Sequence, residues 1–176
     1  MSRQRADTLL RRLGLERADV RAWALYDWAN SAFMTSVVAA VFPVYFLTVV
    51  ARDLEPAVAT RRFAMATAVT VVVIARVSPV LGAAADWSGK RRRFLFGFLL
   101  LGSGATASLG LVGPGDWLLS ILLFAVANIG AYGSLVFYDA LLPHLVAREK
   151  LDRTSAAGFG VGYLGGGLLL GLHVLW

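Results

Sequence analysis

The apolar residues of this chain come in a few blocks, each long enough to cross a bilayer. A hydrocarbon core about 30 Å thick needs roughly 20 residues of helix at about 1.5 Å per residue. Five blocks reach that length, at residues 24–50, 63–84, 94–112, 117–142 and 155–176. Turn and charge signals separate them: Arg52-Asp53-Leu54-Glu55-Pro56, Asp86 to Arg93, Gly113-Pro114-Gly115-Asp116, and Pro143 to Arg153. At 58% hydrophobic and 16% charged, with mean hydropathy +0.68, the chain has more apolar surface than one small globule could hide. Blocks this long are not the short alternating runs of a sheet. The expected fold is all-α: a polytopic transmembrane bundle of about five helices over residues 23–176, preceded by a basic segment, residues 1–22.

There is no cysteine, which removes disulfides and thiolate metal sites. His144 and His173 lie too far apart in sequence for paired ligand spacing, so no metal and no cofactor is expected. The net charge of +6 and a pI near 10.3 do not imply nucleic acid, because the bases flank apolar blocks instead of forming one face. They set orientation instead. Thirteen bases (Arg3, Arg5, Arg11, Arg12, Arg17, Arg21; Lys90, Arg91, Arg92, Arg93; Arg148, Lys150, Arg153) fall on one side, and Arg52, Arg61 and Arg62 on the other. Basic residues are retained in the cytoplasm, so the N-terminus is expected inside and Trp176 outside. Residues 1–22 are not a signal peptide, since the apolar block that follows is too long and contains Asp27 and Asn30. They read either as an amphipathic surface segment with Leu9, Leu10 and Leu13 toward lipid or as a disordered basic tail.

Asp27, Asn30, Arg76, Asn128, Tyr138 and Asp139 fall inside the expected spans, and each is costly in lipid unless it faces protein or water. They are the candidates for a substrate or proton pathway. Arg76 lies about nine residues, on the order of 14 Å, from the cytoplasmic end of its block, deep enough to need a partner such as Asp27 or Asp139 unless it snorkels. Asp27 and Asp139 sit near the ends of theirs, where interfacial solvation is an equal alternative. Gly158, Gly162 and Gly166 recur every fourth residue, one face of a helix that can approach a neighbour closely. Pro43 and Pro79 should kink or end their helices.

The connection Gly82-Ala-Ala-Ala-Asp86-Trp-Ser-Gly89-Lys90-Arg91-Arg92-Arg93 places a close-packing glycine, a carboxylate able to accept from the next helix's amides, a turn glycine and a basic run between two spans. This spacing resembles the signature loop between helices two and three of the major facilitator superfamily. The resemblance implies a gating role for Gly82, Asp86, Gly89, Lys90 and Arg91, a latch between the two halves of a transporter. Trp87 stands where the superfamily often has Arg, which alters part of that latch. A narrower resemblance lies in Tyr26-Asp-Trp-Ala-Asn30-Ser-Ala-Phe33, Val41-Phe-Pro-Val-Tyr-Phe46, Val136-Phe-Tyr-Asp-Ala-Leu-Leu-Pro143 and the glycine-rich stretch Gly158 to Gly167. These look like the vacuolar effluxer family, with Asp139 where such sequences more usually carry Asn.

The resemblance implies a secondary transporter of small solutes, amino acids among them, working by alternating access in a bacterial cytoplasmic membrane. Its expected partners are the lipid bilayer, a small-molecule substrate, a coupling proton, and a missing C-terminal bundle or second chain, because such transporters have about twelve spans in two halves. The rival is a truncated or half-size membrane protein that acts as a scaffold or pairing subunit. No phosphate-cradling loop and no nucleophile–base constellation points to a pump or an enzyme. The charge bias yields a direct expectation: cysteines at Ser88 and Arg148 will resist an impermeant thiol reagent added to intact cells, while one at Gly115 will be labelled. The reverse pattern would overturn the orientation.

Overall fold

The computed structural model describes residues 3–175, with side chains from Thr8 onward. Met1, Ser2, Trp176 and the side chains of Arg3 and Arg5 lie outside that description. Six helices follow one another: α1 Arg3–Leu13, α2 Ala18–Val50, α3 Pro56–Ser88, α4 Arg91–Leu109, α5 Trp117–Leu145 and α6 Leu151–Leu175. No strand occurs among the described residues, so the fold is the all-α bundle that the apolar blocks imply.

The helices outrun the apolar blocks. α2, α3 and α6 begin at Ala18, Pro56 and Leu151, upstream of the first apolar residue of each block, because hydropathy marks contact with lipid, not the limits of backbone hydrogen bonding. Four helices are long and apolar enough to cross a membrane: α2, α3, α5 and α6, the last counted with its leading 3₁₀ turn from Arg148. α4 is the exception to the five expected spans. It opens on Arg91, Arg92 and Arg93 and ends at Leu109, which leaves the sixteen residues from Phe94, about 24 Å of helix at about 1.5 Å per residue. Pro43, Pro79 and Pro143 do not end their helices. Pro79 and Pro143 lie inside α3 and α5.

At Pro43 the helix changes winding instead. α2 is α-helical over Ala18–Ala32, π-wound over Phe33–Val41, α-helical over Phe42–Tyr45 and π-wound again over Phe46–Val50, closing with Ala51 N–H to Phe46 O at 2.8 Å. Proline has no N–H and its ring crowds the carbonyl four residues back. A wider turn on either side relieves that crowding, which is where π segments are found.

The chain divides into two compact units, Met1–Ala40 with Leu141–Trp176, and Val41–Ala140. In the first, α2 packs along α6, and α1 is joined by a tight elbow. Gly14, at φ 72°, ends α1 in a Schellman motif, with Leu15 N–H to Leu10 O at 2.8 Å and Gly14 N–H to Arg11 O at 3.2 Å. Leu15 is buried while Leu9 and Leu13 stay exposed. Lys150 Nζ donates to Glu16 Oε1 at 2.7 Å, and Arg17 Nη1 donates to Leu145 O at the end of α5 at 2.8 Å. The bond from Lys150 holds the Glu16 carboxyl below the usual glutamate range.

The second unit has an aromatic core and a backbone crossing. Phe42 stacks on Phe124 at 4.0 Å between centroids, with Phe46 and Phe63 tilted against the pair. Tyr45 Oη donates to Val112 O at 2.5 Å, and Gly115 N–H donates to Val50 O at 2.9 Å. α4 crosses α5 where Gly102 meets Gly130: a Cβ on Gly102 would lie 3.2 Å from Ala131 N, and one on Gly130 would overlap the Gly102 backbone. We expect Gly130→Ala to destabilise the unit by about 1–3 kcal/mol, since backbone cannot move aside as a side chain can. Gly104→Ala, with nothing within 4 Å of its Cβ, should be neutral or gain up to about 1 kcal/mol. Melting of the two variants in detergent checks this, and equal melting temperatures would contradict it.

Candidate functional site: the α2–α6 seam

The α6 glycines face one another's partners on α2 in register. A Cβ on Gly158 would run into the buried Trp23 ring, one on Gly162 into the Asp27 carboxylate and Ser31 Oγ, one on Gly165 into the Trp28 ring, and one on Gly166 would lie 2.6 Å from Thr35 Oγ1. Gly158, Gly162, Gly165 and Gly166 are all buried. Gly160, Gly167 and Gly171, on the other side of α6, have open space about them. The seam therefore lays a polar stripe, Asp27, Ser31 and Thr35 at four-residue spacing, against bare backbone. Asp27 is 6% exposed, and its buried state is what the glycine at 162 makes room for. Thr35 Oγ1 donates to Ser31 O at 2.8 Å, while Ser36 Oγ, one residue on, is fully buried with no hydrogen-bond partner among the described residues. Asn30 is half-buried on the same helix.

The remaining pathway candidates belong to the second unit and do not converge there. Asn128 is buried, but its amide donates to Phe124 O one turn back at 2.8 Å, so the side chain serves its own helix. Tyr138 is 2% exposed, whereas its neighbour Asp139 faces outward. Arg76 has no ion pair among the described residues and lies on an exposed face of α3 with Met65, Val69, Val72, Val73 and Val80. No ion pair between Arg76 and Asp139, the expected partner in the same unit, is present among the described residues.

The connection between α3 and α4 is shorter than its sequence suggests, because Asp86, Trp87 and Ser88 complete α3. Gly89, at φ 64°, makes the turn, a backbone conformation that costs a residue with a Cβ. Asp86 does not cap the next helix through its amides. α4 has Lys90 as N-cap with no side-chain cap, and Asp86 Oδ1 instead accepts from Arg91 Nε at 2.8 Å and Nη2 at 2.7 Å. A fork of this kind ties the two helices by side chains. Gly82 lies where a Cβ would meet Val136 of α5 at 3.7 Å, an ordinary contact.

Three contacts escaped the sequence: Gly165 on the seam, the Gly102–Gly130 crossing, and Gly133, whose Cβ would strike the Phe98 ring. Gly130 and Gly133 share the small-residue spacing of a packing face, and that was the available signal. For the seam itself, a Cβ on Gly166 would lie 3.3 Å from Thr35 Cβ, close to the separation a disulfide needs. In this cysteine-free chain, Thr35→Cys with Gly166→Cys should cross-link under mild oxidant, as read by a loss of two hydrogens in intact mass. Thr35→Cys with Gly167→Cys should not. Equal cross-linking of the two pairs would contradict the register.

Residues 54–176 match the model of the family described as Vacuole effluxer Atg22 like. The chain is also 37% identical over 145 residues to an uncharacterized MFS-type transporter, YxiO, of Bacillus subtilis (strain 168), an alignment covering 82% of this chain and 34% of that protein. The chain thus spans about a third of the relative's length. No solved structure matches it. On the family match and this identity, the chain belongs to the Atg22-like vacuole effluxer family of MFS-type proteins.

Proposed function

We propose that the chain supplies the N-terminal helices of a secondary transporter for small polar solutes, amino acids among them, which works by alternating access. In this proposal the α2–α6 seam is the moving contact and Asp27 carries the coupling proton. The observation that supports it best is the burial of Asp27 beside Ser31 against Gly162, inside a helix long and apolar enough to span a membrane. A carboxylate in such a place is costly to maintain for structure alone. Protonation would remove that cost and change what the seam prefers, which is how a proton can bias one access state over another. Close backbone approach along the glycine face leaves Asp27 and Ser31 seated directly over α6, so a change at Asp27 acts on the contact between the two helices.

The Asp86–Arg91 fork supports a second part of the mechanism, a latch that favours one access state. Its carboxylate is 61% exposed, so the pair is worth about 0.2–1 kcal/mol, enough to shift a balanced equilibrium by at most about fivefold. Alternating access needs a cavity closed from two sides. The second bundle would come from further chain or from a second copy, and the orientation would be that of the charge bias, N-terminus in the cytoplasm.

The test is transport into vesicles from cells expressing the intact, full-length reading frame, using radiolabelled amino acids and an imposed pH gradient. Asp27→Asn should abolish accumulation driven by the gradient while leaving the protein in the membrane, and Asp86→Asn should reduce the rate several-fold. Gradient-driven accumulation that survives Asp27→Asn would remove Asp27 from proton coupling. The 176-residue chain alone, shown to be monomeric by single-molecule photobleaching, should give no saturable uptake.

A further inference from the structure

An open groove of about 510 Å³ runs along α4, lined by Lys90, Arg93, Phe94, Gly97, Phe98 and Leu101. Two cations stand at one end and an apolar trough forms the rest. We propose that this groove is a binding site for an anionic phospholipid, with its phosphate between Lys90 and Arg93 and an acyl chain laid over Gly97 toward Leu101.

Three observations carry the assignment. The first is charge. Of the basic run, Arg91 is taken by Asp86, whereas Lys90 and Arg93 are exposed and have no ion pair among the described residues. The mouth of the groove, lined by Lys90 and Arg93, is therefore positive, and it complements an anion. The second is shape. Gly97 has nothing within 4 Å of its Cβ position, which makes a flat floor. The walls are held from behind: Phe94 and Phe98 lie at 5.3 and 5.5 Å from the Phe137 ring, and Phe98 sits over Gly133. A trough with fixed walls needs little ordering to accept a chain.

The third is depth. The apolar part of α4 is about 24 Å long, shorter than an average hydrocarbon core of about 30 Å. A short helix draws its terminal bases down to the phosphate level of the leaflet, with their stems along the apolar surface. Phe96, Leu99, Leu100 and Leu101 are exposed around the same helix, so lipid is the medium that meets the groove.

The experiment is native mass spectrometry of the full chain, purified in detergent and equilibrated with equal amounts of phosphatidylglycerol and phosphatidylcholine. The chain should retain phosphatidylglycerol in clear excess. Lys90→Gln with Arg93→Gln should lower that excess by about thirtyfold, two bases near a headgroup being involved. Arg92→Gln, exposed but outside the groove, should leave it unchanged. Gly97→Leu, filling the trough at a position with free space, should reduce retention of both lipids. Equal retention of the two lipids by the unmodified chain would overturn the site. So would a loss in Arg92→Gln matching that of the double variant, or retention unaffected by Gly97→Leu. None of these outcomes bears on transport, so the site stands or falls separately from Asp27.

Discussion

Lipid is as apolar as leucine, so two helices in a bilayer gain nothing from hiding leucines against each other and must associate through close backbone approach. Each unit of this chain turns on such an approach. In one, buried glycines of α6 receive Trp23, Asp27, Ser31, Trp28 and Thr35 of α2. In the other, Gly102 of α4 meets Gly130 of α5 backbone to backbone. The two contacts differ in what they permit. The Gly102–Gly130 crossing is surrounded by rings, with Phe98 seated over Gly133 and tilted against Phe137, and it fixes a geometry. The α6 face instead receives two rings, a carboxylate and two hydroxyls of α2 over bare backbone, and this is the contact we propose to move.

How much of this was legible in the sequence depended on the kind of signal. Four of the five expected spans were, because some twenty apolar residues in a row have few other fates, while α4 falls short. Their ends were less so, since hydropathy falls before the helix stops: Asp86 to Ser88 are polar or interfacial yet helical. Gly158, Gly162 and Gly166 announce one face by their spacing, but Gly165 breaks the period and was invisible. Gly102 opens a run of small residues, Gly102 to Ser108, that marks a packing face without naming its partner, and only the fold shows Gly130 opposite. The π winding around Pro43 has no local code beyond the proline itself. Arg76 seemed to call for a buried acid. It lies instead on an exposed face of α3, a fact about tertiary placement that no single-helix pattern contains.

The short connection between α3 and α4 serves two purposes through one charge pattern. Four consecutive bases look redundant in the sequence, a uniform anchor on the cytoplasmic side. In the structure they separate: Arg91 turns back to Asp86 and ties the helices, leaving Lys90 and Arg93 at the mouth of the α4 groove. The left-handed turn at Gly89 produces this division by starting α4 immediately after α3 ends. One basic run is thus divided, residue by residue, between an ion pair that joins two helices and the mouth of a groove.

The most direct test of a moving seam is to stop it. With cysteines at positions 35 and 166, solute accumulation in vesicles should be lost on oxidation and restored by reductant, because the cross-link holds α2 and α6 in one register. The same treatment should leave the cysteine-free protein unaffected. Full transport by the verified, oxidised cross-linked protein would mean that the α2–α6 seam is a fixed joint, and that alternating access, if it occurs, is driven elsewhere.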